Sequence, residues 1–432
     1  MPNQKRHLIP DPIAGTIEFP TWLTRINDEP AIKRMMFIRQ LGLKAYIDFP
    51  GAIHTRYSHA LGTMHLADKV VSLLIQKMQD KGEKAKTFED NLKANKPALI
   101  AAGFLHDIAH GPFSHSVDFA MRKITGKSHQ NLAEDIIKKE LPSDLSNWVD
   151  VDQVLKLIRG KHDYPFLSEI IDGPIDVDKI DYLLRDAYHV GLRYSFDISY
   201  FLSSYTILGD QNALKTCKLG LENTQQAIAT TEIFLVIWKN MYDLVYHIES
   251  SRIAEKMLEK AVLMNKDNHE ITEAFTKSFL ELDDQKLLDK LSSCNSKTNN
   301  LIKSITKQSG LYKIISPPLE LDQQHFSMDT KFLTSLKDED EVSESLTRKL
   351  NEELHQEDYS FICDIVTSKA PRQIQIDELD ESEGEFWPLH KKSKIVGAIQ
   401  SLRQIRVYIN PSLSTEFNKE TIYSKIKNII EG

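Results

Sequence analysis

Ala101-Ala-Gly-Phe-Leu-His106-Asp107-Ile-Ala-His110-Gly-Pro-Phe-Ser-His115 is the stretch on which the reading of this 432-residue chain turns. Its apolar spacing predicts a buried helix over 97–110, opening at Pro97 and running through Leu99, Ile100, Phe104 and Leu105. A carboxylate beside an imidazole does not belong in such a place, because burying that pair unpartnered costs several kcal/mol. A divalent metal removes the conflict, since carboxylate and imidazole are both its ligands. Consecutive helical residues point roughly 100° apart, so His106 and Asp107 share an ion only at the helix surface. At least two further ligands must come from elsewhere.

Two other segments offer them. From Arg56 to Met78 the apolar residues Tyr57, Leu61, Leu66, Val70, Val71, Leu74 and Ile75 recur at three and four residues, an amphipathic helix that carries His59. Taken singly, His59 reads as an ordinary core histidine. The second segment is Gly173-Pro-Ile-Asp-Val-Asp-Lys-Ile-Asp-Tyr-Leu-Leu-Arg-Asp186. As a helix from Val177 it puts Asp178, Tyr182 and Asp186 on one face with Lys179 beside them. Beside Ile180 and Leu183 a buried face should be apolar, so this one faces a polar site.

Composition narrows the class. The net charge of −8 gives no general attraction to nucleic acid. Cys217, Cys294 and Cys363 lie far apart without a C-x-x-C pair, so neither a disulfide framework nor a thiolate zinc site is expected. Neither an apolar leader nor a run of about 18 apolar residues is seen, which predicts a soluble, cytoplasmic protein with no membrane partner.

The expected fold is mainly α. Ile13–Pro20 reads as a strand or extended arm, Trp22–Leu41 as helix broken at Pro30, and Lys44–Asp48 as a strand. The charged stretch Gln79–Asn95 reads as a loop. Helices are predicted over 114–124, 129–140 (Ser128 as N-cap), 151–159, 165–171, 177–188, 225–264, 269–281 and 284–293. After about residue 310, short strands are predicted at 312–316, 360–366, 372–376 and 404–409, with a helix at Lys419–Ile430. The acidic stretches Lys337–Val342 and Asp377–Glu385 read as solvated loops. The division expected is a helical core over 1–310, with the metal site within 50–190, and a smaller C-terminal α+β lobe over 311–432.

Residues His59, then His106-Asp107, then Asp178 form an H…HD…D series, and the segments around them are more specific still. Phe49-Pro-Gly-Ala-Ile-His-Thr-Arg-Tyr-Ser-His59-Ala-Leu-Gly62, His106–His115, Ile175-Asp-Val-Asp-Lys-Ile-Asp-Tyr182, Asp11-Pro-Ile-Ala-Gly15 and Arg39-Gln-Leu-Gly42 together resemble the HD-domain dNTP triphosphohydrolases. The likeness is to the catalytic part of the sterile-alpha-motif/HD enzymes, without the sterile-alpha-motif domain. It is strong over residues 8–200 and fades beyond about 265. It implies one divalent ion (Fe, Mn, Zn or Mg) held by His59, His106, Asp107 and Asp178, with additional Mg accompanying the substrate phosphates. It implies hydrolysis of a deoxynucleoside triphosphate to deoxynucleoside and triphosphate. His115 is the implied proton donor, Asp118 and His129 orient or relay, and His110 faces the same pocket. Arg56, Lys179 and Tyr182 are the matching phosphate contacts, and Gln40, Leu41 and Asp186 the sugar contacts. Tyr246 is placed to crowd a 2′-hydroxyl.

The resemblance also implies a homo-oligomer, dimer or tetramer, switched on by GTP or a dNTP near Asn27–Arg39, with Asp28 and Arg34 as contacts. Departures from the pattern are Ile248 and Glu249, where a histidine and a basic residue are usual, and Met36 in place of an arginine. They predict weaker or altered nucleotide activation. The rival functions are an HD phosphatase or phosphodiesterase on nucleoside monophosphates or short oligonucleotides, and a non-catalytic nucleotide-sensing scaffold.

Overall fold

The computed structural model describes residues 7–141, 143–315, 318–320, 338–368, 374–380, 385–399 and 402–431. Two long antiparallel-packed helices, Arg56–Asp80 and Lys86–Leu105, form its centre. The first begins on a capping box in which the Thr55 side chain accepts from Ser58 N–H while Ser58 Oγ accepts from Thr55 N–H. Helix Val177–Val190 packs across the first of them. Its N-terminus is capped by the Asp176 side chain, and Gly191 ends it in the left-handed conformation (φ 85°). Ser128 caps helix His129–Lys139 as its sequence predicts.

Several expectations are corrected. Lys44–Ile47 is a helical turn, not a strand. The charged stretch after Gln79 is mostly helix, beginning at Lys86, with Phe88 and Leu92 as its buried stripe and Glu89 paired to Lys86 and Lys93. Pro97 therefore lies inside a helix rather than at its start. The 225–264 pattern is two helices, Gln225–Met241 and Glu249–Leu263, separated by a π-turn at Tyr242–Tyr246. The arm near residue 13 is a hairpin of His7–Asp11 with Gly15–Phe19. Strands Tyr205–Leu208 and Lys218–Leu221, and helix Ser296–Thr306, are additional.

The acidic stretch after residue 337 is likewise a helix, Glu339–Glu353, capped by Asp338. Its first-turn carboxylates complement the positive end of the helix dipole. Strands Phe361–Ser368 and Leu402–Ile409 pair antiparallel behind it. Their own apolar cluster includes Val342, Leu350, Cys363, Ile405, Val407 and Ile426. Strand Gln375–Asp380 instead pairs in parallel with Lys218–Leu221, Leu221 facing Ile376, and so joins the central core. Residues 316, 337, 372–373 and 381–384 of the C-terminal expectations lie outside the described residues. All three cysteines are free thiols. Among the described residues no helix is long and apolar enough to cross a membrane.

Candidate metal centre and active site

Three helix ends converge on one point. His59 sits in the first turn of Arg56–Asp80, Asp178 in the first turn of Val177–Val190, and His106 caps the end of Lys86–Leu105. His106-Asp107 thus stands just past its helix rather than within one reaching residue 110, which frees both side chains to turn the same way. His59 Nε2 lies 3.0 Å from Asp178 Oδ1 and 3.2 Å from His106 Nε2. His106 Nε2 is 3.5 Å from Asp178 Oδ1. Asp107 completes the set, with Oδ1 3.4 Å from His106 Nε2 and Oδ2 3.5 Å from His59 Nε2. Ligands bonded to a single ion at about 2.0–2.2 Å stand about 3 Å apart, so His59, His106 and Asp178 can hold one divalent metal, with Asp107 beside them reaching a different imidazole with each oxygen.

The backs of the imidazoles fix their tautomers. His59 Nδ1 donates to Asp181 Oδ2 (2.8 Å) and His106 Nδ1 to the Gly103 carbonyl oxygen (2.9 Å). Each Nε2 lone pair is thereby left facing the centre. Asp181 is gripped by Arg185 (2.8 and 2.9 Å), whose Nη1 donates to Asp11 Oδ2 (2.7 Å). Burial pushes the His59 imidazole down, but Asp178 and Asp181 outweigh it and raise it to about 10. Burial likewise pushes Asp178 up, and the hydrogen bonds from His106 and His59 hold it far below the carboxylate range instead. A cation in place of those protons would satisfy the same charges.

Beside the centre runs a histidine array. His110 Nε2 is 3.2 Å from Asp107 Oδ1, and its ring stacks on His129 (5.3 Å between centroids, 16°). Asp118 Oδ2 accepts from His115 Nδ1 at 3.0 Å and lies 3.7 Å from His110 Nδ1. His115 is 77% exposed at the mouth of the cavity, while His110 is buried. Burial and Arg56 lower His110, yet Asp107 and Asp118 leave it raised overall. Burial and His110 lower His129. The loop between them is strained, with Phe113 and Ser114 both left-handed (φ 57° and 56°). Asp284 accepts from Phe113 N–H at 2.7 Å and helps hold it.

A cavity of about 620 Å³ joins these groups to Gln40, Leu41, Arg56, Tyr182, Asp186 and Tyr246, all expected substrate contacts. Arg56 pairs with Asp107 and donates to Ser114 Oγ (3.0 Å). Tyr246 donates to Asp186 Oδ2 (2.7 Å). Lys179 is not among the residues that line the cavity: its ammonium turns back to Asp176 (2.5 Å) and the Gly173 carbonyl (2.9 Å). Arg34 is buried over the Phe279 ring and donates to the carbonyls of Ile108 (2.9 Å) and His110 (2.8 Å), so it clamps the histidine loop and is not available to a phosphate. Asp28 is exposed and paired to Lys33 (3.0 Å), away from the cavity. Sequence reasoning missed Asp181, although its place three residues after Asp178 marks the same helix side. It also missed His54 and Tyr242, which carry no signal outside their tertiary partners.

Two family models match the chain: the HD domain over residues 56–186 and the HD-associated region over 212–422. The chain thus carries an HD domain followed by an HD-associated region. It is 28% identical to the uncharacterized protein MJ1154 of Methanocaldococcus jannaschii, over 71% of this chain and 62% of that protein. It is 29% identical to the human deoxynucleoside triphosphate triphosphohydrolase SAMHD1, over 66% of this chain and 49% of that one. The chain thus spans only about half to three fifths of these relatives. A crystal structure of a hypothetical protein from Aquifex aeolicus shares the fold, with a TM-score of 0.70 and 24% identity, covering 98% of this chain and all of that one.

Proposed function

We propose that the chain is a metal-dependent phosphohydrolase that cleaves deoxynucleoside triphosphates to deoxynucleoside and triphosphate. The observation that carries this reading is the shared cavity: His106, Asp107 and Asp178 of the metal centre, the histidine array and the polar end at Gln40, Asp186 and Tyr246 line one space. The named activity of SAMHD1 supports it. His59, His106, Asp107 and Asp178 would hold a divalent ion, which would supply activation of water and relief of charge on the phosphoryl oxygens. Water adds to the α-phosphorus and the bond to the 5′-oxygen breaks. His115, oriented through Nδ1 by Asp118, delivers a proton from Nε2 to that oxygen. His110, between Asp107 and Asp118, faces the same space as the reacting phosphoryl group. Gln40, Leu41 and Asp186 bind the sugar, and Tyr246 limits its 2′ side.

The cations of the cavity favour a second reading as well. Arg56 is paired to Asp107, Lys44 to Glu255, Arg252 to Asp364, and Lys256 to Glu259 and Asp340. A triphosphate must therefore arrive with its own Mg or exchange these partners, whereas a monophosphate or short oligonucleotide end makes less demand. Incubating metal-supplemented protein with mixed dNTPs, NTPs and dNMPs and separating the products decides between them. Deoxynucleoside and inorganic triphosphate are expected. Phosphate release from dNMPs alone would establish the second reading. A dimer or tetramer activated by GTP or a dNTP remains part of the proposal, now without Arg34 as a contact.

A further inference from the structure

The sugar end of the cavity is held from behind by a buried residue that the mechanism above does not use. His54 Nε2 lies 2.7 Å from Asp186 Oδ1, while Asp186 Oδ2 accepts from the Tyr246 hydroxyl at 2.7 Å. Both carboxylate oxygens are thus oriented by donors outside the substrate. The backbone carbonyl of His54 accepts from Gln40 N–H (3.1 Å), so one residue braces two of the expected sugar contacts. Its ring lies flat on His189 (4.3 Å between centroids, 14°), which fixes the plane in which Nε2 meets Asp186. Nδ1 is buried without a hydrogen-bond partner among the described residues. The tautomer with its proton on Nε2 satisfies this arrangement. The opposite tautomer would bury an N–H without an acceptor and set a lone pair against the carboxylate.

We propose that His54 is a positioning residue that fixes the orientation of the Asp186 carboxylate, so that whatever discrimination the sugar end makes between a sugar with and without its 3′-hydroxyl depends on His54. This rests on the nucleotide reading of the cavity. A carboxylate with both oxygens already directed by donors has its remaining lone pairs aimed rather than free to rotate. A substrate hydroxyl completes the set, and a 3′-deoxy sugar leaves a buried acceptor short of its donor, a loss that polar sites reject strongly.

Two measurements on the full chain test it. The first is ¹⁵N spectroscopy of the histidine rings, with His54 assigned through the His54→Gln variant. A proton on Nε2, disturbed by Asp186→Asn, is expected, whereas a proton on Nδ1 or indifference to Asp186→Asn overturns the proposal. The second compares kcat/KM for a dNTP and its 2′,3′-dideoxy analogue. His54→Leu should lose about ten- to a hundredfold of the preference for the 3′-hydroxyl while keeping its metal, the scale of one hydrogen bond to a charged group. His54→Gln, whose amide nitrogen can stand where Nε2 stood, should retain most of it. An unchanged preference in His54→Leu, or equal losses on both substrates in both variants, overturns the proposal. A wild-type protein that cleaves neither nucleotide overturns the nucleotide reading and the hydroxyl selection with it, while the ring tautomer still reports the geometry.

Discussion

Gly62 shows how closely the metal centre is built. A Cβ at this position would stand 1.8 Å from Asp181 Oδ1 and 2.4 Å from Arg185 Nη2, in a helix where any other residue would bring one. The absence of a side chain lets Asp181 pass between the helices to His59 Nδ1. Gly62→Ala should therefore displace Asp181, release the His59 ring and weaken metal binding by about 10–100-fold, the usual cost of losing such a carboxylate partner. Metal content after dialysis against graded chelator measures this, and full retention would show that Asp181 does not orient His59. His106, Asp107 and Asp178 stood out in the sequence as polar groups among apolar helical positions, whereas His59 alone read as a core histidine and joined them only through the family resemblance. Asp181 was not legible, since its partner His59 lies 122 residues away. Arg34 was misread for the same reason: the carbonyls it grips belong to residues 74 and 76 positions further on.

Elements were legible where periodicity is clear, as in the helices read from Arg56 and Val177, and where a cap joins it, as at Ser128; the caps Thr55 and Asp176 emerged only in the structure. Helices were misread where the solvent face carries most of the letters, as in Lys86–Leu105 and Glu339–Glu353. Only two or three apolar residues per two turns mark such helices, and dense charge hides them. The π-turn at Tyr242–Tyr246 left no sequence trace at all, because Tyr242 and Tyr246 have ordinary helical spacing. Its wider ring, closed by His247 N–H to the Tyr242 carbonyl (3.0 Å), carries Tyr246 onto Asp186 and brings Tyr242 edge-on to it (5.1 Å). π-turns gather at functional sites, and this one sets the wall of the sugar end. Tyr246→Ala should open that wall and narrow the preference for dATP over ATP by about tenfold, the scale on which a pocket discriminates by bulk. Paired rate measurements on the two substrates check it. A preference unaltered by the substitution would remove Tyr246 from sugar selection.

At the scale of the whole molecule, the change of composition near residue 310 was legible, but the contacts across it were not. Arg122 reaches Asp338 (2.6 Å), Lys123 reaches Glu341 (3.1 Å) and Lys256 reaches Asp340 (3.3 Å), so the start of helix Glu339–Glu353 is pinned to the helices around the cavity. The deepest of these links is Arg252 to Asp364, whose carboxylate is fully buried and also accepts from Tyr408 (3.2 Å). Burial pushes Asp364 up, and Arg252 and Lys256 more than reverse it, so the folded carboxyl lies below its ordinary 3.8. A depressed folded value means that the link stabilises fully above the unfolded value and is lost as pH falls through the folded one. Arg252→Ala leaves that carboxylate buried with its main partner gone and should destabilise the fold by about 3–5 kcal/mol near neutrality. The same substitution lets Asp364 protonate more readily, so the deficit should shrink as pH drops below about 4. Urea unfolding of both proteins at the two pH values checks the pair of expectations together. A deficit of constant size would assign the loss to packing of the arginine stem rather than to its charge.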